Sequence, residues 1–199
     1  MNYRFAALLP IWCLLPVVHA QQEPPSRPAS TPSASAETTY RNPTFGFRYR
    51  IPYGWVDRTK NMQEGSDATK GEVLRAVFER PPEAAGDTVN SAVVIAAEST
   101  AAYPGLKKVE DYLGPLTELT TSKGFKAEGD PSETQIDSRT LIRADFSKAL
   151  NEKLTMHQST LIMLAKGKIV SFTFIADSAE AVDELIERLG FSPAAARKN

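Results

Sequence analysis

The chain has 199 residues, with 23 basic and 24 acidic side chains, two histidines and one cysteine. That balance, with no run of five basic residues, excludes long-range attraction to nucleic acid or to an anionic membrane. A lone cysteine excludes an internal disulfide, so stability has to come from packing.

Residues 1–20 have the three-part layout of an export signal. Arg4 makes the positive start, Ala6 to Val18 is uncharged and mostly apolar, and Val18-His19-Ala20 supplies small residues for a cut between Ala20 and Gln21. The apolar stretch is about 13 residues, too short to span roughly 30 Å of hydrocarbon, and Pro10 and Pro16 oppose a permanent membrane helix. Trp12 directly precedes Cys13, which disfavours lipid attachment there. Cleavage removes Arg4, Cys13 and His19 and leaves His157 as the one histidine. The expected location is periplasmic or secreted. Residues 21–39 hold Pro, Ser, Ala and Thr with no large apolar side chain and are expected to form a flexible tether. Tyr40 to about Pro193 has the composition of one globular domain, and Ala194–Asn199 should fray.

Within the domain, Phe45, Phe47, Tyr49 and Ile51 alternate with Gly46, Arg48 and Arg50, which predicts a strand over 45–51 with one buried face. Pro52-Tyr53-Gly54-Trp55 predicts a turn whose Trp folds back onto that face. The polar run Thr59 to Gly71 predicts a mobile loop. Strands follow over Glu72–Arg80 and Thr88–Glu98, the latter apolar on both faces at Val93–Ala97. Leu106, Val109, Leu113 and Leu116 predict an amphipathic helix over Leu106–Ser122, kinked or split at Gly114-Pro115. Phe125–Gln135 is weakly patterned, as an edge strand would be. Ser138–Phe146, Lys153–Ala165 and Lys168–Ala176 predict an antiparallel meander, with a tight hairpin at Lys166-Gly167. Asp177 and Glu180 suit a capping box for a last helix, whose stripe is Val182, Leu185, Ile186 and Leu189 and whose stop is Gly190. About seven strands and two main helices without βαβ alternation predict an α+β fold, an α/β/α sandwich around a mainly antiparallel sheet.

Tyr40, Phe45-Gly46-Phe47 and the Pro52–Trp55 turn resemble the opening of the PsbP/Mog-like superfamily, including DcrB-type exported proteins of bacteria. The Lys166-Gly167 hairpin, the strand Ile169–Ile175, the Ala/Glu-rich Ser178–Leu189 and Phe191 are similar to its close. The resemblance runs from Tyr40 to Pro193. It implies an α/β/α sandwich that serves as a non-enzymatic binding or assembly module.

The candidate chemistry is sparse. His157 falls on the same polar strand face as Thr155 and Ser159, where it is either a surface residue or a ligand or base. Asp137, Asp145 and Glu152 are the carboxylates available for a pair. There is no Gly-x-Ser-x-Gly elbow and no glycine-rich phosphate loop, so neither an enzyme nor a cofactor is expected. Phe45, Phe47, Tyr49 and Trp55 suit either a core or an aromatic surface for a ligand. Arg48, Arg50, Arg75 and Arg143 are the candidate partner surface, because arginine binds carboxylates bidentately. The expected function is protein–protein contact with an envelope protein; the alternative is carriage of a small apolar ligand in a pocket between sheet and helix.

Overall fold

The computed structural model describes residues 38–63, 73–81 and 88–192. The export signal with its Ala20–Gln21 cut, the tether up to residue 37 and the tail from 193 lie outside the described residues.

In chain order the strands are β1 (Thr39–Asn42), β2 (Phe47–Arg50), β3 (Val56–Asp57), β4 (Val73–Glu79), β5 (Ala92–Ser99), β6 (Lys126–Ile136), β7 (Arg139–Ala149), β8 (Thr155–Ala165), β9 (Lys168–Ala176) and β10 (Leu189–Phe191). The helices are α1 (Thr59–Gln63), α2 (Leu113–Ser122) and α3 (Ala179–Ile186). Seven strands pair antiparallel in the order β3-β4-β5-β9-β8-β7-β6, and β1-β2-β10 form a second, three-stranded sheet.

The predicted meander is present as β7-β8-β9. Lys166 and Gly167 both take positive φ, 51° and 68°, the backbone of a type I′ hairpin turn whose twist matches that of the strands. β6 forms the predicted edge and is exposed along nearly its whole length. A register shift between Glu128 and Ser132 spans Gly129, at φ 68°, and Pro131. The bulge and the charges of Lys126, Glu128, Asp130 and Glu133 make this edge a poor template for another strand.

The seven-stranded sheet is buried on both faces. On one side Phe47 and Tyr49 of the small sheet and Val182, Leu185 and Ile186 of α3 pack on Val93, Ile95, Leu161, Phe172 and Phe174. Phe47 meets Phe172 edge-on at 4.9 Å, and Tyr49 stacks on Phe78 at 5.9 Å. Side chains of this size contribute about 1.5–3 kcal/mol each when fully buried. On the other side Tyr112 and Leu116 cover Ile142, Ala144, Phe146, Ile162 and Ile169. The predicted sandwich is therefore present, with one outer layer built jointly from α3 and the three-stranded sheet.

Several elements differ from the sequence prediction. Strand 45–51 shortens to Phe47–Arg50, because Phe45 and Gly46 turn back to bond Asn42. Thr39, assigned to the tether, belongs to β1. The predicted mobile loop from Thr59 opens with α1, which buries no side chain. Hydrogen bonds hold it instead: Asp57 accepts the Thr59 N–H at 2.9 Å, the Thr59 hydroxyl accepts the Val77 N–H at 2.9 Å, and Gln63 donates to the Leu74 carbonyl.

The helix predicted over 106–122 is a 3-10 turn (Val109–Tyr112) followed by α2, and the break lies before Gly114-Pro115 rather than at it. Pro115 is the third residue of α2, where a backbone N–H has no partner inside the helix, so its absence costs nothing. Ser178, not Asp177, caps α3, its hydroxyl accepting the Ala181 N–H at 3.1 Å. Gly190 does not stop the helix; it lies within β10 opposite Arg48, and Leu189 leaves the helix stripe for the same strand.

Candidate functional site

Period two along β7 turns Arg143 and Asp145 toward α3, and the neighbouring β8 brings His157 and Ser159 beside them. Glu128 on β6 stands opposite Asp145. With Phe146, Gln158, Ala179 and Val182 these residues line a cleft of about 320 Å³ between the sheet and α3. Six of its nine lining residues are polar or charged, and Phe146, Ala179 and Val182 supply the apolar part.

The ionisable groups of the cleft largely satisfy one another. Arg143 Nε donates to both Asp145 oxygens at 2.9 and 3.0 Å, its NH1 lies 2.8 Å from Asp183 on α3, and its NH2 donates to Ser159 Oγ at 3.1 Å. The Ser159 hydroxyl in turn donates to Asp145, and the Ser147 hydroxyl donates to Glu128. Burial works against the Arg143 charge, but the hydrogen bonds and charges of Asp145, then Asp183, outweigh it and hold the guanidinium above its ordinary pKa. Ser159, 2% exposed, donates its hydroxyl hydrogen bond directly to a carboxylate with no imidazole between them. A hydroxyl so bonded is a structural tie rather than an activated nucleophile. Among the described residues no group of three or more His, Cys, Asp or Glu is placed to hold a metal ion.

The three candidate carboxylates do not converge. Asp145 lies within β7, Asp137 in the turn before that strand and Glu152 beyond its other end. Six strand steps separate Arg139 from Asp145, about 20 Å, whereas paired catalytic carboxylates stand roughly 5–9.5 Å apart.

The four candidate arginines occupy three places. Arg143 is spent inside the cleft. Arg75 on β4 lays its guanidinium 5.8 Å from the centre of the Phe45 ring, with Nε buried. Arg48 and Arg50 share the outer face of β2, opposite the buried Phe47 and Tyr49. Arg48 NH1 donates to the Phe191 carbonyl at 3.3 Å and NH2 lies 3.8 Å from Asp137, while Arg50 donates to the Glu187 carbonyl at 3.1 Å. A depression of about 240 Å³ opens among Arg48, Asp137, Ser138 and Phe191.

No family model and no curated sequence matches the chain. Its fold does match solved structures. Cyanobacterial PsbP from Synechocystis aligns over 83% of this chain and 100% of its own length, at 14% identity and a TM-score of 0.50. The fold is PsbP-like. The Ran-binding protein Mog1p of Saccharomyces cerevisiae aligns over 78% of this chain and 95% of its own, at 9% identity and a TM-score of 0.47. LpqN of Mycobacterium tuberculosis, involved in cell envelope biogenesis, aligns over 80% and 87%, at 10% identity and a TM-score of 0.40.

In this PsbP-like fold the aromatic residues weighed as a ligand surface are structural. Phe45, Phe47 and Tyr49 are core residues and Trp55 packs against them, while Tyr53, at the tip of the turn, is 85% exposed. No helix among the described residues is long and apolar enough to cross a membrane. Two residues at these sites escaped the sequence reading. Asp183 belongs to a helix whose rotation relative to β7 no local pattern reveals. Arg41 was readable in principle: Tyr40 and Asn42 turn inward, so period two turns Arg41 outward with Arg48.

Proposed function

We propose that this chain is an exported, non-enzymatic binding or assembly module that acts through contact with another envelope protein. The observation that carries this reading is the mutual satisfaction of Arg143, Asp145, Ser159 and Asp183. Catalytic groups are normally held poised, with shifted pKa values and open valences toward a substrate. Here the cleft beneath α3 uses its ionisable side chains to pin that helix onto the sheet. Two cores and that pin make a rigid body, and the export signal at residues 1–20 supports an address outside the cytoplasm.

The test is chemical crosslinking of the tagged full-length chain in envelope fractions of its host. The reading requires one protein to be retained reproducibly, and retained equally well by His157→Ala. Repeated crosslinking without a specific product, or a phenotype of His157→Ala with the fold intact, overturns it.

A further inference from the structure

The outer face of the three-stranded sheet carries more positive charge than the carboxylate facing it offsets. Arg41 on β1 stands directly across from Arg48 on β2, and Arg50 follows two positions on. Like charges opposed on neighbouring strands destabilise a sheet. Asp137 is a counter-charge facing this row, 3.8 Å from Arg48, and its side chain is 47% exposed. Arg41 is exposed and makes no side-chain hydrogen bond or ion pair among the described residues. The third strand contributes Gly190 to the same row, opposite Arg48. A Cβ there would lie 3.0 Å from Arg48 NH2 and 3.1 Å from Asp137 Oδ2. The missing side chain thus lets the Arg48 guanidinium lie against the β10 backbone and fixes its position.

We propose that this face, Arg41, Arg48 and Arg50, docks an extended acidic segment of a partner protein. The proposal rests on the binding-module reading above and names the chemistry of its partner. Arg48 and Arg50 are two strand positions apart, about 7 Å, which is also the spacing of alternate side chains on any extended segment. Carboxylates at every second residue of such a segment meet successive guanidiniums through the N–H groups not spent on the Phe191 and Glu187 carbonyls. Arg41 widens the row across the sheet. An anionic membrane fits less well: the chain has a net charge of −1, and a membrane surface would press Asp137 against its own headgroup charge.

The test measures binding of a poly-glutamate peptide, and separately of phosphatidylglycerol vesicles, to the full chain. The variants are Arg41→Glu with Arg50→Glu, the milder Arg41→Gln with Arg50→Gln, and the charge-matched control Lys60→Glu with Lys153→Glu. Arg48 is left in place because, besides bonding a backbone carbonyl as Arg50 does, it faces Asp137, which ties the two sheets together. Circular dichroism and thermal melts verify folding, and the glutamine pair carries the test if the glutamate pair melts early. Salt-sensitive poly-glutamate binding should weaken roughly tenfold in the arginine variants and stay unchanged in the lysine control. Equal loss in both sets, no poly-glutamate binding at all, or arginine-dependent binding to vesicles alone overturns the proposal. Crosslinking the Arg41→Glu, Arg50→Glu chain in envelope fractions separates the two readings. A partner retained in full by this variant defeats the arginine face and leaves the module standing; no partner even for the unmodified chain defeats the module.

Discussion

Asp145 is where single atoms matter most. It accepts Nε of Arg143 and the hydroxyl of nearly inaccessible Ser159. Asp145→Ala strands both donors, and urea denaturation should show a loss of about 1–3 kcal/mol. Asp145→Asn keeps one oxygen for Ser159 and should cost less. Half of this cluster was legible in the sequence. Strict alternation in Ser138–Phe146 put Arg143 and Asp145 on one face, and alternation in Lys153–Ala165 put His157 with Ser159. What alternation cannot encode is which distant group closes the cluster. Asp183 lies 40 positions from Arg143 in sequence, and only the docking of α3 brings the two to 2.8 Å.

Among elements, the two capping arrangements make opposite demands. Ser178 accepts the Ala181 N–H, so Ser178→Ala should cost about 1 kcal/mol in thermal or chemical unfolding, and Asp177→Ala only a few tenths. The reverse order would restore the capping box read from the sequence. A one-residue error of this kind is natural, since Asp and Ser are both good caps and sit side by side. The 3-10 turn before α2 responds to acid instead. The backbone N–H groups of Lys107 and then Lys108 hold the Asp111 carboxyl below its ordinary pKa. A depressed folded value adds stability above the ordinary carboxylate pKa and loses it as pH falls through the depressed value. Thermal melts should therefore find the unmodified chain more stable than Asp111→Asn at neutral pH, with the gap closing in acid. Pro115 teaches a related lesson: a proline reads as a kink only if the helix start is known, and that start is set by Tyr112, whose hydroxyl donates to Glu98 on β5 at 2.5 Å.

For the molecule as a whole, Asp137 joins the two sheets. From the turn between β6 and β7 it accepts the Phe191 N–H of β10 at 2.7 Å and faces Arg48 of β2. Its φ of 50° is a conformation that asparagine also tolerates. Asp137→Asn should be mild and Asp137→Ala should cost about 1–3 kcal/mol in the same unfolding assay, since alanine gives up both the acceptor and the backbone preference. Six strands of the large sheet and its two covered faces were readable because each strand shows its period or its bounding turns locally; β3, two residues long, shows neither, and the seventh strand expected, 45–51, belongs to the small sheet. The second sheet was not, for β2 finds β10 across 143 positions, and Gly190 imitates a helix stop. That late partner bears on how the protein is made. β10 is nearly the last stretch of the domain to leave the ribosome, and until it emerges the opening strands have no third member and Phe47 lacks Phe191 beside it. Synthesis alone therefore withholds one outer layer of the sandwich until the domain is nearly finished.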